Sequence, residues 1–470
     1  MALKDQHGNA VSTASRAALK LYDRAVDELS LFTANPLETA ERAVAADPGF
    51  LLGHVLKGYL RLLSTELGDA IVAREVMGDI RALLPDADPN EREALHVKAL
   101  KLWVAGDMIG AGWVLGGLSI RWPRDLLALL VGHQIDFLTG NAVNLRDRIA
   151  RALPQWVAED RHFGNIMGMY GFGLEEAGQW QRGEETGRLS VERNPKDVWG
   201  IHAVAHCLEM QGRIKDGIAY LEARRGDWIA DNFLNVHNCW HLALYNLDAE
   251  RPAQALDLYD SVIFNERSNN VAMELLDAAA MLWRLHLNGV DVGPRWQPLT
   301  AVWRAKAADT FYAFNDMHAA LCFAATGDLD SLQSSLKAQE QFLATEGDSA
   351  GITNVMMTRD VGLPVCRALF AFACQDYRAA VDHLMPIRTR AHHFGGSHAQ
   401  RDVINRTLLE AALRAGDNDL AEALLSERLE QRPASPYNWR RLARLKKQRG
   451  LAAQAKAAEA EAKKLVKAIA

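Results

Sequence analysis

The sequence contains few cysteines, and none of them forms a closely spaced pair. Five cysteines occur among 470 residues, and no two stand as Cys-x-x-Cys. They are scattered through apolar, helix-like segments at Cys207, Cys239, Cys322, Cys366 and Cys374. This usage is typical of small core residues in a reducing compartment. We therefore expect a cytoplasmic protein.

Long apolar runs and an excess of positive charge are also lacking. No apolar run reaches the roughly 18 residues that a membrane span requires, and the N-terminal segment lacks the apolar core of a signal peptide. The formal net charge is -6 at pH 7, and basic residues are dispersed except near the end of the chain. These features argue against a membrane or nucleic acid as the main partner.

Three motifs of well-known active sites are missing. The sequence contains no His-Glu-x-x-His motif of zinc proteases, no glycine-rich phosphate loop and no Gly-x-Ser-x-Gly elbow. Alternating Val, Ile and Thr runs bounded by turn residues are nearly absent as well. Without His-Glu-x-x-His a zinc protease is disfavoured, and without the phosphate loop and the serine elbow so are nucleotide binding and serine hydrolysis. The lack of alternating runs disfavours a β-sheet.

Apolar residues instead recur at three- and four-residue steps, and the breaks between these helical stretches carry glycine. The break glycines are Gly68, Gly106, Gly140, Gly178, Gly212, Gly327, Gly416 and Gly450. Three pairs are 34 residues apart: Gly106 and Gly140, Gly178 and Gly212, and Gly416 and Gly450. This period is that of the tetratricopeptide repeat, a helix–turn–helix unit. We predict an all-α, right-handed helical-repeat solenoid of about ten to twelve helical hairpins, some degenerate.

One continuous solenoid over 1–470 is predicted, with regions that differ in regularity. Residues 1–105 hold degenerate repeats, 106–250 regular repeats, 251–375 irregular repeats with long loops, and 376–470 further repeats with a solvated capping helix. The loop candidates are 288–300 and 344–364.

Two His-x-x-x-His pairs lie on consecutive predicted helices, in "IHAVAHCLEMQG" and "NVHNCWHLALYNLD". In the first, the inner-wall positions counted back from Gly212 are Trp199, His202, His206 and Glu209. At about 100° per residue, the two imidazoles and the carboxylate share an arc of roughly 60°. This spacing lets one helix offer two imidazoles to a metal, with Glu209 as a third ligand, an orienting group or a general base.

The second pair, His237 and His241, is followed by Tyr245 at the same spacing. Because neighbouring helices pack about 8–10 Å apart, we expect all four imidazoles to converge on a divalent metal, in the first place zinc. Glu209 and Tyr245 are the predicted catalytic groups. Trp199, Trp240 and Glu175, which lies one repeat before Glu209, are predicted to contact a ligand. The alternative is that the histidines are core residues whose hydrogen bonds are satisfied by main-chain or carboxylate oxygens.

A further candidate is "RAHHFGGSHAQRDVINRTLLEAAL", where a Gly-Gly-Ser turn precedes a helix. Such a turn exposes main-chain N–H groups that can hold an anion, and an arginine can bind a carboxylate or phosphate with two hydrogen bonds. The predicted ligand-binding residues here are Ser397, His398, Arg401 and Asp402. The alternative is an ordinary capped helix start with an Arg–Asp pair.

Through "VHNCWHLALY", "GGSHAQRD" and the degenerate repeats around them, the sequence resembles the tetratricopeptide repeat protein 38-like family over nearly its whole length. The resemblance implies the same solenoid. It also implies that two sets of residues belong to the family pattern: His237, Cys239, Trp240 and His241, and Gly395, Gly396, Ser397, Gln400, Arg401 and Asp402. It carries over no catalytic assignment.

Three hypotheses on function remain open at this stage. The first is a small-ligand or metal site inside the solenoid, with hydrolysis of an amide or ester by a bound metal as its catalytic form. The second is a non-catalytic scaffold that binds a peptide or protein in its concave groove. The third is a self-associating protein that forms a homodimer.

Overall fold

The structure is a computed structural model that describes residues 3–33, 35–349 and 351–469. A small antiparallel hairpin, β1 Leu3–Lys4 and β2 Ala10–Val11, precedes the helices. The helices are α1 Arg16–Leu31, α2 Pro36–Ala46, α3 Leu51–Leu63, α4 Leu67–Leu83, α5 Glu91–Val104, α6 Met108–Arg121, α7 Leu126–Leu138, α8 Ala142–Ala152, α9 Phe163–Glu176, α10 Trp180–Arg193, α11 Val198–Met210, α12 Ile214–Ala223, α13 Arg225–Trp228, α14 Asn235–Asp248, α15 Pro252–Leu258, α16 Ala272–Leu287, α17 Trp296–Arg304, α18 Ala313–Thr326, α19 Leu329–Glu346, α20 Thr353–Met357, α21 Leu363–Ala373, α22 Tyr377–Leu384, α23 His398–Ala415, α24 Asn418–Gln431, α25 Pro436–Gln448 and α26 Ala452–Ile469.

Consecutive helices pack as hairpins. Six successive pairs run from α1–α2 to α11–α12, and three more are α14–α15, α16–α17 and α18–α19. The last three are α21–α22, α23–α24 and α25–α26. Among the described residues this makes twelve hairpins. The predicted all-α helical-repeat solenoid is confirmed. None of the described helices is both long and apolar enough to cross a membrane.

The turns within the hairpins follow a local rule that the sequence already contains. At seven of the eight predicted turn glycines, a glycine in the left-handed region follows the first helix. After Gly106, Gly140, Gly327 and Gly416, the next residue is an Asp or Asn that caps the following helix. Gly140 has φ 65°, for example, and the Asn141 side chain accepts a hydrogen bond from the Asn144 N–H. Gly68 is the exception among the predicted turn glycines, because it lies inside α4 and Thr65, at φ 61°, makes the turn.

The region 251–375 contains two π-helical turns, at Tyr259–Ile263 and Thr358–Gly362, and helices occupy parts of both predicted loops. In the first, α17 begins at Trp296, which leaves only 288–295 as a connection with a short 3-10 turn. The second, 344–364, contains α20 and a π-helical turn at Thr358–Gly362. The Thr353 N–H donates to the Gly106 carbonyl at 2.9 Å. This long-range contact holds the segment against a distant turn and is not visible in local sequence.

The solenoid closes on itself, so much of its inner wall is covered. The Tyr312 hydroxyl donates to the Leu138 carbonyl at 3.0 Å, and Asn315 donates to the Thr65 carbonyl at 3.1 Å. Further along, the His398 N–H donates to the Glu176 carboxylate at 2.8 Å. These contacts join residues that are 174 to 250 positions apart in sequence. The first helices of the central hairpins are therefore buried inside the molecule.

Candidate metal centre

The four predicted histidines lie together in the interior, two on α11 and two on α14. Their ring centroids are 4.4 Å apart for His202 and His206, 4.3 Å for His206 and His241, and 4.8 Å for His237 and His241. Each ring offers one nitrogen to a group in which all four atoms lie within 4.8 Å of one another. Three of the side chains are buried, and that of His237 is 14% exposed.

The placement follows from how the two helices form and pack. Asp197 caps α11 by accepting a hydrogen bond from the Gly200 N–H at 3.1 Å, and it also accepts one from Ser190 at 2.9 Å. Because residues four apart lie on one face of a helix, each helix presents both of its imidazoles to the same side. Tyr245 ties α14 to α11, since its hydroxyl donates to the Ala205 carbonyl at 2.5 Å.

Carboxylates orient two of the four imidazoles. The His237 Nδ1 lies 2.7 Å from Asp277 Oδ2, and the His241 Nδ1 lies 3.1 Å from Glu209 Oε2. An ionised carboxylate can only accept a hydrogen bond, so each Nδ1 carries the proton and each Nε2 lone pair is free. Burial raises the pKa of Glu209, but the hydrogen bond and charge of His241 together with the charges of Arg432 and Arg284 outweigh it, so the pKa lies below its usual value. A carboxylate behind a histidine is the usual support for a metal ligand.

The other ring nitrogens make no hydrogen bond to a carboxylate, and Glu175, at 3.5 Å from the His206 Nδ1, lies at the outer limit for one. Neither nitrogen of His202 or of His206 makes a hydrogen bond, and the His241 Nε2 makes none either. Within the described residues, no main-chain oxygen accepts a hydrogen bond from the four imidazoles. Buried polar atoms are normally satisfied, so an ordinary core role leaves these atoms unexplained.

The environment of His202, His206 and His241 favours the neutral imidazole, which is the form that binds metals. Burial lowers the pKa of His202 and His206 well below the usual value, and the neighbouring histidines lower it further. Burial also lowers the pKa of His241. For zinc, nitrogens at 2.0–2.1 Å in a tetrahedron lie roughly 3.4 Å from one another. Each imidazole would therefore move inward by no more than roughly 1 Å to close on an ion.

The predicted aromatic contacts surround this cluster. The Trp199 ring lies 4.9 Å from His202, and the Trp240 ring stacks on His237 with centroids 5.4 Å apart. The Arg284 guanidinium lies 5.2 Å from the Trp240 ring. Tyr245 has no free hydroxyl, and its ring packs where Gly217 leaves room. The geometry thus gives Tyr245 a packing role in place of the predicted catalytic one, because its proton is already donated to the main chain.

Glu175 approaches the cluster from α9. Its carboxylate is buried, and it lies 3.5 Å from the His206 Nδ1 and 3.7 Å from the His398 Nδ1. Burial and then the neighbouring Glu176 raise its pKa to about 7. Burial lowers the pKa of His398, but Glu176 and Glu175 outweigh it and raise that pKa to about 10. Glu175, Glu176 and His206 are close enough to hold a second ion, but the cation beside these carboxylates is the protonated His398.

The Gly-Gly-Ser turn does not hold an external anion in the predicted way. The Ser397 hydroxyl accepts from the Gln400 N–H at 3.2 Å, and the Ser397 N–H donates to the Gln400 side chain at 3.0 Å. The next N–H, that of His398, donates to Glu176. The anion at this helix start is therefore Glu176, to which Arg401 also binds at 3.3 Å. Sequence analysis missed this because Glu176 lies 222 residues away.

Asp402 likewise lies between two arginines, Arg406 at 2.6 Å and Arg428 at 2.7 Å. The sequence-based predictions do not include Asp277, although an acid within the apolar segment "LLDAAAMLW", 40 residues after His237, could have indicated it.

A cavity of about 740 Å³ lies beside the centre. Its wall includes Glu176, Met210, His398, Arg401 and Asp402. The predicted ligand-binding residues His398, Arg401 and Asp402 thus line a cavity, whereas Trp199, Trp240 and Glu175 belong to the buried histidine cluster.

No model of a known protein family matches the chain. Among solved structures, a human IFIT1 dimer with PPP-AAAA is similar, with 11% identity, 98% of each chain covered and a TM-score of 0.40. A monomeric IFIT1 mutant with Gppp-AAAA gives 12% identity, coverage of 95% and 94%, and a TM-score of 0.38. The P58(IPK) TPR domain gives 13% identity, coverage of 85% and 98%, and a TM-score of 0.19.

These likenesses are at the level of the helical-repeat fold and carry no argument about function. Membership of the tetratricopeptide repeat protein 38-like family and the expected absence of a nucleic-acid partner therefore remain predictions. The fold by itself fits the second hypothesis, a binding scaffold, and no observation on the molecule indicates hydrolysis as such.

Proposed function

We propose that the protein is a helical-repeat binding protein that holds a divalent metal ion, zinc in the first place, at His202, His206, His237 and His241. The observation that carries this proposal is the group of four imidazole nitrogens within 4.8 Å of one another. Imidazole is a preferred ligand of zinc, and also of copper, nickel and iron. The carboxylates of Glu209 and Asp277 support the ligand role, because they fix two rings with the Nε2 toward the cluster.

Hydrolysis of an amide or ester ranks behind metal binding. A bound zinc ion supplies Lewis acidity and an acidified water, but only where one coordination position stays open. Four histidines complete a tetrahedral set, which is the arrangement of a structural site. Glu209, the predicted general base, is engaged with His241. We therefore propose that an ion held by these four histidines would join α11 to α14, and that hydrolysis would need a ligand position that a complete four-histidine set does not leave open.

Metal analysis tests this proposal directly. Protein purified without a histidine tag and dialysed against zinc is expected to contain one zinc per chain by mass spectrometry of the metal. Because the metal binds the folded state, zinc should raise the midpoint of thermal unfolding and a chelator should reverse the rise. A zinc content below about 0.1 per chain, with no thermal shift for zinc, copper, nickel or iron, would falsify the proposal.

The helical-repeat fold also supports binding of a protein partner, and one surface favours a second copy of this chain. On α6 the side chains of Ile109, Trp113 and Ile120 are 38%, 77% and 62% exposed, along one face. From Met108 to Ile120 the helix carries no charge. Contiguous exposed apolar patches mark interaction sites, and a face without charge meets its own copy without repulsion.

On the same face, the exposed Gly117 leaves a notch, a position without a side chain, one helical turn after the exposed Trp113. Gly117 is exposed, and a side chain there would meet nothing within 4 Å. Internal packing therefore does not require glycine, which costs a helix about 1 kcal/mol relative to alanine. A tryptophan and a notch on one face suit a two-fold interface, where each copy gives and receives the same group.

Trp113→Asp is expected to convert a dimer to a monomer in multi-angle light scattering at tens of micromolar protein. The unfolding midpoint should stay within about 2 °C, because the side chain is exposed. Ile71→Asp is the matched control, since Ile71 is 47% exposed on α4 and should leave the mass unchanged. A monomeric wild-type protein, or a dimer that survives Trp113→Asp, contradicts this second candidate. The cytoplasm remains our proposed compartment, on the strength of the free cysteines.

A further inference from the structure

The cavity of about 740 Å³ beside the metal centre has a charge that differs in sign from that of the whole chain. It lies between the end of α9, the start of α23 and α24, with Trp180 in its wall. The arginines in its wall are Arg388, Arg401, Arg428 and Arg432, and the carboxylates are Glu176, Asp402 and Glu427. His398, whose pKa is raised to about 10, adds a further positive charge. The chain as a whole carries a formal charge of -6.

The carboxylates of the cavity are already paired. Glu427 accepts two hydrogen bonds from Arg388, at 2.8 and 2.9 Å. Asp402 is held by Arg428 at 2.7 Å and also by Arg406. Glu176 is held by His398 and Arg401, as described above. The cavity therefore offers little free negative charge to a cationic ligand.

Arg432 is the arginine of this wall with the weakest partners. Its Nη1 lies 3.8 Å from the Glu209 Oε1, and its Nη2 donates to the Met210 sulfur at 3.3 Å. Neither contact is a good charge-assisted hydrogen bond, which would place nitrogen and oxygen about 2.7–2.9 Å apart. Its side chain is only 17% exposed. A poorly satisfied, largely buried guanidinium is a ready site for an anion.

We infer that this cavity binds a small-molecule anion through a carboxylate or phosphate group, with Arg432 as the anchor and Arg428 beside it. The cavity volume falls within the roughly 300–1,000 Å³ of small-molecule sites. Glu209 links the two sites, because it contacts Arg432 on one side and His241 on the other. An anion bound to Arg432 would therefore be separated from the histidine cluster only by the carboxylate of Glu209. The inference does not require the metal.

Calorimetric titration at low ionic strength tests the inference with pyrophosphate in one arm and citrate in the other. Low salt is needed because at 0.1 M the Debye length is about 10 Å, so salt weakens the attraction between exposed charges such as the anion and the arginines. At least one anion should bind with one site per chain, and the arm that binds tighter identifies the group. Arg432→Gln should weaken that binding at least tenfold, and Arg432→Lys should weaken it less because the charge remains. Arg367→Gln is the control, since Arg367 pairs with Glu340 on the surface.

The same titrations on chelator-treated and zinc-loaded protein separate this inference from the metal proposal. Binding that is lost in Arg432→Gln in both forms supports the cavity, whatever the zinc content. Binding that requires zinc but withstands Arg432→Gln assigns the anion to the metal and overturns the inference. Two further outcomes overturn the inference. One is that neither anion binds at concentrations up to about 10 mM, and the other is that the wild type and Arg432→Gln bind the anion equally well. Circular dichroism of each variant checks that it is folded.

Discussion

His206→Ala is expected to lower the affinity for zinc by about a hundredfold or more. Structural zinc sites contribute about 10–16 kcal/mol, so an equal share for each of four ligands is roughly 2.5–4 kcal/mol, or about sixtyfold to seven hundredfold. His206 is the histidine to remove first, because its ring takes part in the two shortest ring-to-ring distances of the cluster, 4.3 Å to His241 and 4.4 Å to His202. A competition titration with a chromophoric chelator measures the change.

His54→Ala is the matched control for this variant. His54 is also a buried helical histidine, but its Nε2 is bonded to the Pro48 carbonyl at 2.9 Å, so its loss should leave zinc affinity unchanged. Where His206→Ala unfolds, His237→Ala replaces it, because His237 is the most exposed of the four. Equal zinc affinity in the wild type and in the folded histidine variants would show that the four imidazoles do not hold the ion.

Gly395→Ala is expected to destabilise the protein by at least about 3 kcal/mol, the upper range for a residue forced into an unfavourable backbone region. Gly395 has φ 85° and ψ -159°, a conformation open essentially to glycine alone. A Cβ there would lie 2.3 Å from both the Leu138 carbonyl oxygen and the Tyr312 hydroxyl. These two groups are hydrogen-bonded to each other across the closure of the solenoid. The substitution therefore strains the backbone and pushes the closure apart.

Gly416→Ala separates these two causes. Gly416 has φ 73°, and a Cβ there would meet nothing within 4 Å. Its replacement should cost only the conformational penalty of about 1 kcal/mol. Denaturant unfolding of both variants gives the two free energies. A loss of equal size in Gly395→Ala and Gly416→Ala would mean that the close approach at Gly395 contributes nothing.

Both proposals depend on the closure of the solenoid. An open solenoid would leave the wall of α9, α11 and α14 in water, where the nitrogens of the four imidazoles could form hydrogen bonds with solvent. In the closed molecule His202 is 2% exposed and His206 is fully buried, and the bound ion that we propose would give their nitrogens a partner. The closure also brings Arg401 and His398 to Glu176, and it forms the wall of the cavity between α9 and α24.

The sequence by itself determined the repeat and the pairing of the histidines. Glycine followed by Asp or Asn ends one helix and caps the next through bonds within four residues, and the i, i+4 spacing places His202 beside His206 on one face. These rules act over a single turn, so they can be applied without knowing the rest of the molecule. The convergence of the two histidine pairs needed only one further step, the packing of neighbouring hairpins.

Only the tertiary structure decided what surrounds those histidines. The Asp277 and Glu209 contacts depend on how neighbouring hairpins pack, α14 against α16 and against α11. The engagement of the Gly-Gly-Ser turn by Glu176 and the exposure of Arg432 to a cavity depend on helices that the closure brings together. The reason is geometric: a small change in the angle between successive hairpins, repeated along the chain, moves distant residues by many ångströms. Spacing in the sequence does not fix that angle, because it results from side-chain packing between hairpins.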